Sequence, residues 1–178
     1  MNVSSHSTKP RVPIDSLSRF EHVYDEHVSY VWNSLRRLGV PSRDVEDVVQ
    51  DTFVIVHRKL VEFDPKRPLR PWLFGIAYRM ALAYRRRAVQ REVPTESPTC
   101  SSAGDDFEGE VTMRERAYRL LQRLPPERQA VLIMHELDEM TAQEIAEALS
   151  IPLNTVYSRL RVARQEFGEF AAREDEEP

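Results

Sequence analysis

Aromatic and basic side chains alternate along residues 63–91, in the sequence FDPKRPLRPWLFGIAYRMALAYRRRAVQR. Aromatic rings stack on unpaired bases and cations follow the phosphate backbone, so this composition is typical of proteins that hold single-stranded DNA. The alternative is that some of the rings belong to the protein core, which is the favoured interpretation for Trp72. The candidate DNA-binding residues are Trp72, Phe74, Tyr78, Arg79, Tyr84, Arg85, Arg86 and Arg87.

A second candidate surface for nucleic acid lies near the end of the chain, where two short helices are predicted across a brief turn. Thr141, followed three residues later by Glu144, forms a capping box in sequence, and Asn154 is expected to cap the second helix. The proportions are those of a helix-turn-helix, whose second helix reads the major groove. A helical hairpin with solvated arginines is the alternative. The candidate contacts are Asn154, Thr155, Tyr157, Ser158, Arg159, Arg161 and Arg164.

Polar residues at spacings of three and four form one face of a predicted helix near residue 50. They are Asp44, Asp47, Gln50 and Asp51. Carboxylates that project from one side of a helix suit docking on an arginine-rich partner. The alternative is simple solvation of an amphipathic helix.

Catalysis is not indicated by any motif in the chain. The sequence HELDE at 135–139 begins like a zinc-protease motif, but Glu139 occupies the position of the second histidine. The five histidines form no cluster with ligand spacing, and there is neither a glycine-rich phosphate loop nor a nucleophile elbow. The single cysteine, Cys100, cannot form an internal disulfide. We therefore predict no catalytic residue, no metal and no cofactor.

Helices must position these candidate sites, because apolar residues recur three and four apart on both sides of a polar stretch at 93–110. The predicted fold class is all-α, with two small helical domains joined by a flexible linker. Ser42 is expected to cap the second helix of the front domain. Pro126 is expected to be the first residue of a helix in the back domain.

The net charge of −4 hides an uneven distribution along the chain. Residues 58–91 contain ten basic and two acidic residues, whereas residues 93–113 contain five acids and no base. No stretch approaches the roughly 20 apolar residues of a membrane span, and the polar first 19 residues lack the apolar centre of a secretory signal. We expect a cytoplasmic protein without membrane insertion, with DNA-facing surface in the basic stretch and in the helix-turn-helix.

Two segments match a known family in the expected order. DVEDVVQDTFVIVHRKL, followed by RPWLFGIAYRMALAYRRR, resembles domain 2 of the extracytoplasmic-function (ECF) sigma factors of bacterial RNA polymerase, which belong to the sigma-70 family. LPPERQAVLIMHELDEMTAQEIAEALSIPLNTVYSRLRVAR resembles their domain 4. The resemblance implies a flexible tail at 1–19, sigma region 2 at 20–92, an acidic linker at 93–113, sigma region 4 at 114–170 and an acidic tail at 171–178.

The resemblance also implies a role for each surface. Asp47, Gln50 and Asp51 would grip the clamp helices of the polymerase β′ subunit. The stretch from Trp72 to Arg87 would recognise and open the −10 promoter element, and the helix from Asn154 to Arg164 would read the −35 element. The linker would thread through the polymerase toward the RNA exit path. The implied partners are core RNA polymerase, including its β subunit, promoter DNA and an anti-sigma factor.

The chain departs from the family pattern at two candidate contacts. Arg79 stands where the family commonly has Asn, and Tyr157 replaces a usual Lys or Arg. Two alternative functions compete with promoter-specific initiation: a stand-alone operator-binding regulator and a protein-interaction adapter. The regulator leaves the acidic helix face and the aromatic–arginine stretch unexplained, and the adapter predicts no DNA binding even with polymerase.

Overall fold

The computed structural model describes residues 14–91 and 113–176, and all its regular elements are helices. The all-α prediction is therefore confirmed. Predictions that concern the acidic linker, Cys100 and the N-terminal tail fall mainly outside the described residues. No helix in the described part of the chain is long and apolar enough to cross a membrane.

Three α-helices and a short 3₁₀ turn form the front unit, residues 14–91. They are α1 Ile14–Arg37, α2 Ser42–Lys59, the 3₁₀ turn Leu60–Glu62 and α3 Leu69–Arg91. The turn from α1 to α2 is a Schellman motif, because the Val40 amide donates to the Leu35 carbonyl and the Gly39 amide to the Arg36 carbonyl. Gly39 has φ 91°, a conformation that side chains with a Cβ rarely adopt.

Four α-helices form the back unit, residues 113–176. They are α4 Met113–Gln122, α5 Pro126–Leu132, which continues into a π-helical turn Ile133–Leu137, α6 Ala142–Leu149 and α7 Leu153–Glu176. Helix α5 begins at Pro126 as predicted. The capping box is also confirmed, because the Glu144 amide donates to Thr141 Oγ1 and the Thr141 amide donates to the Glu144 carboxylate. Helices α6 and α7 are the helix-turn-helix pair.

Two predicted caps are wrong. Ser42 is the first helical residue of α2, and Pro41 occupies the cap position without a side-chain hydrogen bond. Asn154 lies inside α7, which begins one residue earlier at Leu153. Each helix begins earlier than predicted, directly after Pro41 or Pro152, so the polar residue expected to cap it is already helical. The Asp44 amide donates to the Pro41 carbonyl and the Thr155 amide to the Pro152 carbonyl, so the third amide of each helix has a backbone acceptor.

The two units pack against each other and share one hydrophobic core. Helix α3 runs through the middle, with contacts to α1 and α2 on one side and to α6 on the other. Buried residues of the front unit, such as Phe74 and Ala77, therefore join those of the back unit, such as Ile133 and Ile145. The sequence predicts two cores, and the structure merges them because α3 carries apolar residues around most of its circumference.

Candidate nucleic-acid interface

The exposed face of α2 consists of Asp47, Gln50 and Asp51, which all point into solvent. The opposite side of the helix is buried through Val45, Val48 and Val49 among others. Asp44 differs from the other three. It is half-buried, and its Oδ2 accepts a hydrogen bond of 2.6 Å from the Tyr84 hydroxyl and lies 3.3 Å from Arg43 Nε. The structure therefore leaves three of the four predicted docking residues open to a partner and ties the fourth to α3.

Helix α3 buries some of the aromatic rings that we predicted from the sequence to contact DNA. Phe74 is completely buried, so in this conformation it is a core residue and cannot stack on a base. Trp72 is half-buried against the core, with its ring 4.8 Å from that of Phe63. Burial follows from position, because Phe74 lies where α3 passes between the two units.

Tyr78 lies on the side of α3 that faces the back unit. It is half-buried, and burial raises the pKa of its hydroxyl. Two charges from the back unit also act on this pKa: Glu127 raises it and Arg159 lowers it. Arg159 is a predicted −35 contact on α7 and Tyr78 a predicted −10 contact on α3. The two candidate DNA surfaces therefore lie near each other in this conformation.

The four predicted arginine contacts on α3 differ in their surroundings. Arg86 and Arg87 are exposed. Arg85 is engaged, because its Nη2 donates to the Leu38 carbonyl at 2.6 Å and to Gln129 Oε1 at 2.9 Å. Arg79 keeps much of its surface exposed but lines a cleft between the units, where partial burial lowers the pKa of its guanidinium.

Helix α7 presents its predicted DNA contacts more openly. Tyr157 is 56% exposed, and Asn154, Ser158 and Arg161 are exposed as well. The Ser158 hydroxyl donates to the Thr155 carbonyl at 3.0 Å, which leaves its oxygen free to accept. Val156, Leu160 and Ala163 anchor the other side of the helix in the core.

Two predicted contacts on α7 are less free. Thr155 is half-buried. Arg164 is exposed but paired, with its Nη2 2.6 Å from a carboxylate oxygen of Glu136 in the π-helical turn. This pairing lowers the pKa of Glu136. Arg164 would have to break this ion pair before it could contact DNA.

Four polar residues between the units were not predicted from the sequence: Tyr30, Arg37, Gln129 and Asp138. Gln129 is completely buried, and Asp138 keeps 4% of its side-chain surface exposed. Their hydrogen bonds cross from one unit to the other. No local pattern identifies them, because the partners lie about a hundred residues apart in the chain. One feature of the sequence could have indicated Gln129: it directly precedes Ala130 and Val131, which face inward on α5.

Comparison with known proteins accounts for both units. Residues 23–91 match the family model "Sigma-70 region 2", and residues 114–167 match "Sigma-70, region 4". The chain is 30% identical over 141 residues to the ECF RNA polymerase sigma-E factor of Escherichia coli (strain K12), covering 71% of this chain and 73% of that protein. It is 31% identical over 157 residues to the RNA polymerase sigma factor CnrH of Cupriavidus metallidurans, covering 82% of each.

Solved structures give the same result. CnrH, in its complex with the cytosolic domain of CnrY, matches with a TM-score of 0.66 and 28% identity, over 88% of this chain and 90% of that chain. The sigma factor RpoE of Bartonella quintana, in complex with the anti-sigma factor NepR, matches with a TM-score of 0.67 over 87% and 98%, and at 21% identity it supports the fold alone. With both sigma-70 regions in order and relatives at 30% identity or more, this chain belongs to the ECF sigma factors, which bind core RNA polymerase and direct promoter-specific transcription initiation.

Proposed function

We propose a division of labour between three helices: α2 docks on core polymerase, α3 recognises and opens the −10 element, and α7 reads the −35 element. The working regions are residues 20–92 and 114–170. The observation that carries this proposal is the exposed face of α2. Its three polar residues stand on a helix whose other side is locked into the core, so the face is rigid and available to a partner.

The chemistry of this face suits a basic protein surface. Asp47 and Asp51 are one helical turn apart, and Gln50 between them adds an amide that can both donate and accept. Carboxylates at this spacing can engage arginines in charge-assisted hydrogen bonds. The clamp helices of the polymerase β′ subunit are the proposed partner, and Asp44 contributes indirectly by holding Tyr84.

The basic stretch of α3 supplies a surface for the opened −10 strand. Arg86 and Arg87 can follow the phosphate backbone, while Tyr78, Trp72 and Arg79 line the side where bases would stack. Phe74 supports the helix from within and is excluded from this role. Trp72 adds a stacking surface only to the extent that its half-buried ring is uncovered.

The reading helix α7 suits the major groove. Arg161 can bond a guanine bidentately or neutralise a phosphate, and Tyr157 and Ser158 stand beside it on the exposed side. The buried stripe of α7 keeps this side facing outward. Residues Asn154 to Arg164 are therefore the proposed −35 contacts.

The free energy needed to open DNA indicates that the protein acts only together with polymerase. Base stacking is worth about 1.4 kcal/mol per step, so opening about ten steps costs roughly 14 kcal/mol. A captured base returns about 1–3 kcal/mol by stacking, and one or two pockets on this chain cannot supply the total. We propose that the chain works by binding alone, without catalysis, in the cytoplasm where polymerase resides.

An anti-sigma factor is the proposed regulator. CnrH is described in complex with CnrY, and the RpoE structure in complex with the anti-sigma factor NepR. A comparable partner would hold this chain inactive until a signal releases it. Co-purification from unstressed cells tests the proposal, and recovery of the chain free of any partner would count against it.

Run-off transcription on genomic fragments, with core polymerase and with or without this chain, tests the main proposal. The double variant Asp47→Ala/Asp51→Ala should weaken core binding by roughly tenfold or more, an effect of about 1.4 kcal/mol or greater, and should reduce run-off product accordingly. Glu21→Ala/Asp25→Ala is the matched control, because it removes two exposed carboxylates at the same spacing from α1.

Three outcomes would contradict this assignment. Equal effects of the two double variants would remove the docking role of α2. Tight sequence-specific duplex binding by the chain without polymerase would favour an operator-binding regulator. Absence of any new start site with active core polymerase and several fragments would favour an adapter.

A further inference from the structure

The π-helical turn Ile133–Leu137 places a histidine and a glutamate beside the reading helix. The Asp138 amide donates to the Ile133 carbonyl at 3.1 Å, a hydrogen bond that spans five residues where an α-helix spans four. His135 and Glu136 are neighbours in sequence, and such neighbours point apart on a regular α-helix. In this turn they converge, because His135 Nδ1 lies 3.1 Å from Glu136 Oε1.

Arg164 of α7 completes a cluster with these two side chains. Its Nε donates to Glu136 Oε1 at 2.8 Å, and its Nη2 lies 2.6 Å from the same oxygen and 3.4 Å from His135 Nδ1. One carboxylate oxygen therefore faces both the guanidinium and the imidazole. His135, Glu136 and Arg164 keep 34%, 42% and 52% of their side-chain surface exposed, so a partner can reach the cluster.

This cluster lies on the side of α7 that is proposed to face DNA. Arg164 follows Arg161 by three residues and Tyr157 by seven, so the three side chains share one side of the helix. Glu136 therefore competes with DNA for Arg164. His135, in turn, competes with Arg164 for the same carboxylate.

The charge next to the His135 ring comes from these two partners. Among the described residues, Glu136 and Arg164 are the charged groups within hydrogen-bonding distance of the ring. Other charged side chains on or against the turn are engaged elsewhere: Arg128 with Glu166, Asp138 with Tyr30 and Arg37, Glu144 with Thr141, and Glu147 with Arg67. The hydrogen bond from Arg164 lowers the pKa of Glu136, so this carboxylate stays ionised where a histidine titrates.

Protonation of His135 changes which hydrogen bonds the cluster can form. A neutral imidazole accepts at one ring nitrogen, whereas an imidazolium donates from both. Neutral His135 can therefore share Arg164 Nη2 with Glu136. Protonated His135 repels the guanidinium and donates from Nδ1 to the Glu136 carboxylate. The cluster then holds two cations against one carboxylate, and DNA phosphates attract the excess cation.

We propose that His135 is a positioning residue for the −35 contact: its neutral form leaves Arg164 paired with Glu136, and its protonated form takes over Glu136 and frees Arg164 for DNA. Histidine ordinarily changes its charge between about pH 5 and pH 8, so −35 binding should tighten as pH falls through this range. Because coupling is reciprocal, DNA binding should favour proton uptake at His135. The effect on DNA rests on the proposed function of α7, whereas the coupling of His135 to Arg164 does not.

Nuclear magnetic resonance on the free full-length chain tests the coupling without DNA or polymerase. From about pH 8 to about pH 5.5, the Arg164 Nε–H signal should move with the same midpoint as the His135 ring protons, and His135→Gln should abolish this movement. His22→Gln is the matched control, because His22 is another exposed histidine beside a carboxylate, Glu26, but lies on α1. It should leave the Arg164 titration intact. An Arg164 signal that ignores pH in the parent, or still titrates in His135→Gln, would overturn the proposal.

DNA binding by the polymerase complex tests the consequence for −35 reading. The probe is a promoter fragment identified by run-off transcription. His135→Gln stays neutral, so it removes the pH response of the cluster while keeping that of polymerase itself. From about pH 8 to about pH 6, the affinity of the parent should rise roughly threefold to fivefold relative to His135→Gln, the size expected of one exposed ion pair. His22→Gln should follow the parent.

His135→Lys fixes the opposite charge state. Lysine stays cationic throughout this range, so the variant should bind at high pH as tightly, relative to His135→Gln, as the parent does at low pH. Helical circular dichroism checks that both variants fold. A constant affinity ratio between parent and His135→Gln, or equal affinities of the Gln and Lys variants, would overturn the positioning role. Absence of any polymerase-directed start site, with the Arg164 titration intact, would instead count against the proposed function.

Discussion

Helices α3 and α7 are both predicted to bind DNA, yet they occupy very different places in the protein. Helix α7 lies on the outside, with one buried stripe and an exposed side that presents Tyr157 and Arg161. Helix α3 lies between two units, and its middle is buried on both sides through Phe74 and Ala77. On the proposed assignment, most of the −35 contacts are therefore exposed as folded, whereas several of the −10 contacts are buried or engaged. Four pairs of substitutions test this contrast.

The largest effect is expected at Phe74. Phe74→Ala should lower the free energy of unfolding by about 3–5 kcal/mol, because it empties a large volume in a closed core. Tyr157→Ala on α7 is the comparison and should change stability by less than about 0.5 kcal/mol. Urea denaturation followed by circular dichroism measures both. A loss below about 1 kcal/mol for Phe74→Ala would mean that this ring is not a core residue.

The next effect is expected at Gln129. Gln129→Ala leaves the Arg37 carbonyl and the Arg85 guanidinium without their buried partner, which should cost about 1–3 kcal/mol of unfolding free energy. Gln143→Ala removes an exposed amide from α6 and should be near neutral. The same denaturation experiment checks the pair. Equal small losses would show that the contact between the units adds little to stability.

Arg161 separates DNA reading from folding. Arg161→Ala should weaken −35 binding by the polymerase complex by about 1–3 kcal/mol while changing the stability of the chain by less than about 0.5 kcal/mol. Arg173→Ala, near the far end of the same helix, is the control. Competition binding on promoter fragments with altered −35 sequences provides the measurement. Matching effects at both positions would mean that α7 contributes general charge rather than a specific contact.

The smallest effect compares helix starts in the two units. Thr141→Ala should destabilise the chain by about 1 kcal/mol, since it removes the cap of α6. Ser42→Ala should be neutral within about 0.5 kcal/mol, because Ser42 caps nothing. Thermal or urea unfolding distinguishes the two. A clear destabilisation by Ser42→Ala would show that Ser42 does cap α2, as the sequence predicted.

Local features were predicted well because local chemistry sets them. The capping box needs only Thr141 and Glu144 three residues apart, and the start of α5 needs only the fixed φ of Pro126. The caps at Ser42 and Asn154 were predicted wrongly for an equally local reason. Each helix begins directly after a proline, Pro41 or Pro152, so the polar residue expected to cap it is already helical.

Patterns within single segments were sufficient to predict the all-helical class, the helix-turn-helix, the exposed acidic face of α2 and the family to which the chain belongs. Packing between the two units, by contrast, sets which aromatic rings of α3 are buried and which of its arginines form hydrogen bonds. Those outcomes depend on pairs such as Tyr30 with Asp138, which lie 108 residues apart. No periodicity encodes such a pair, because only the packing of one unit on the other brings its members together.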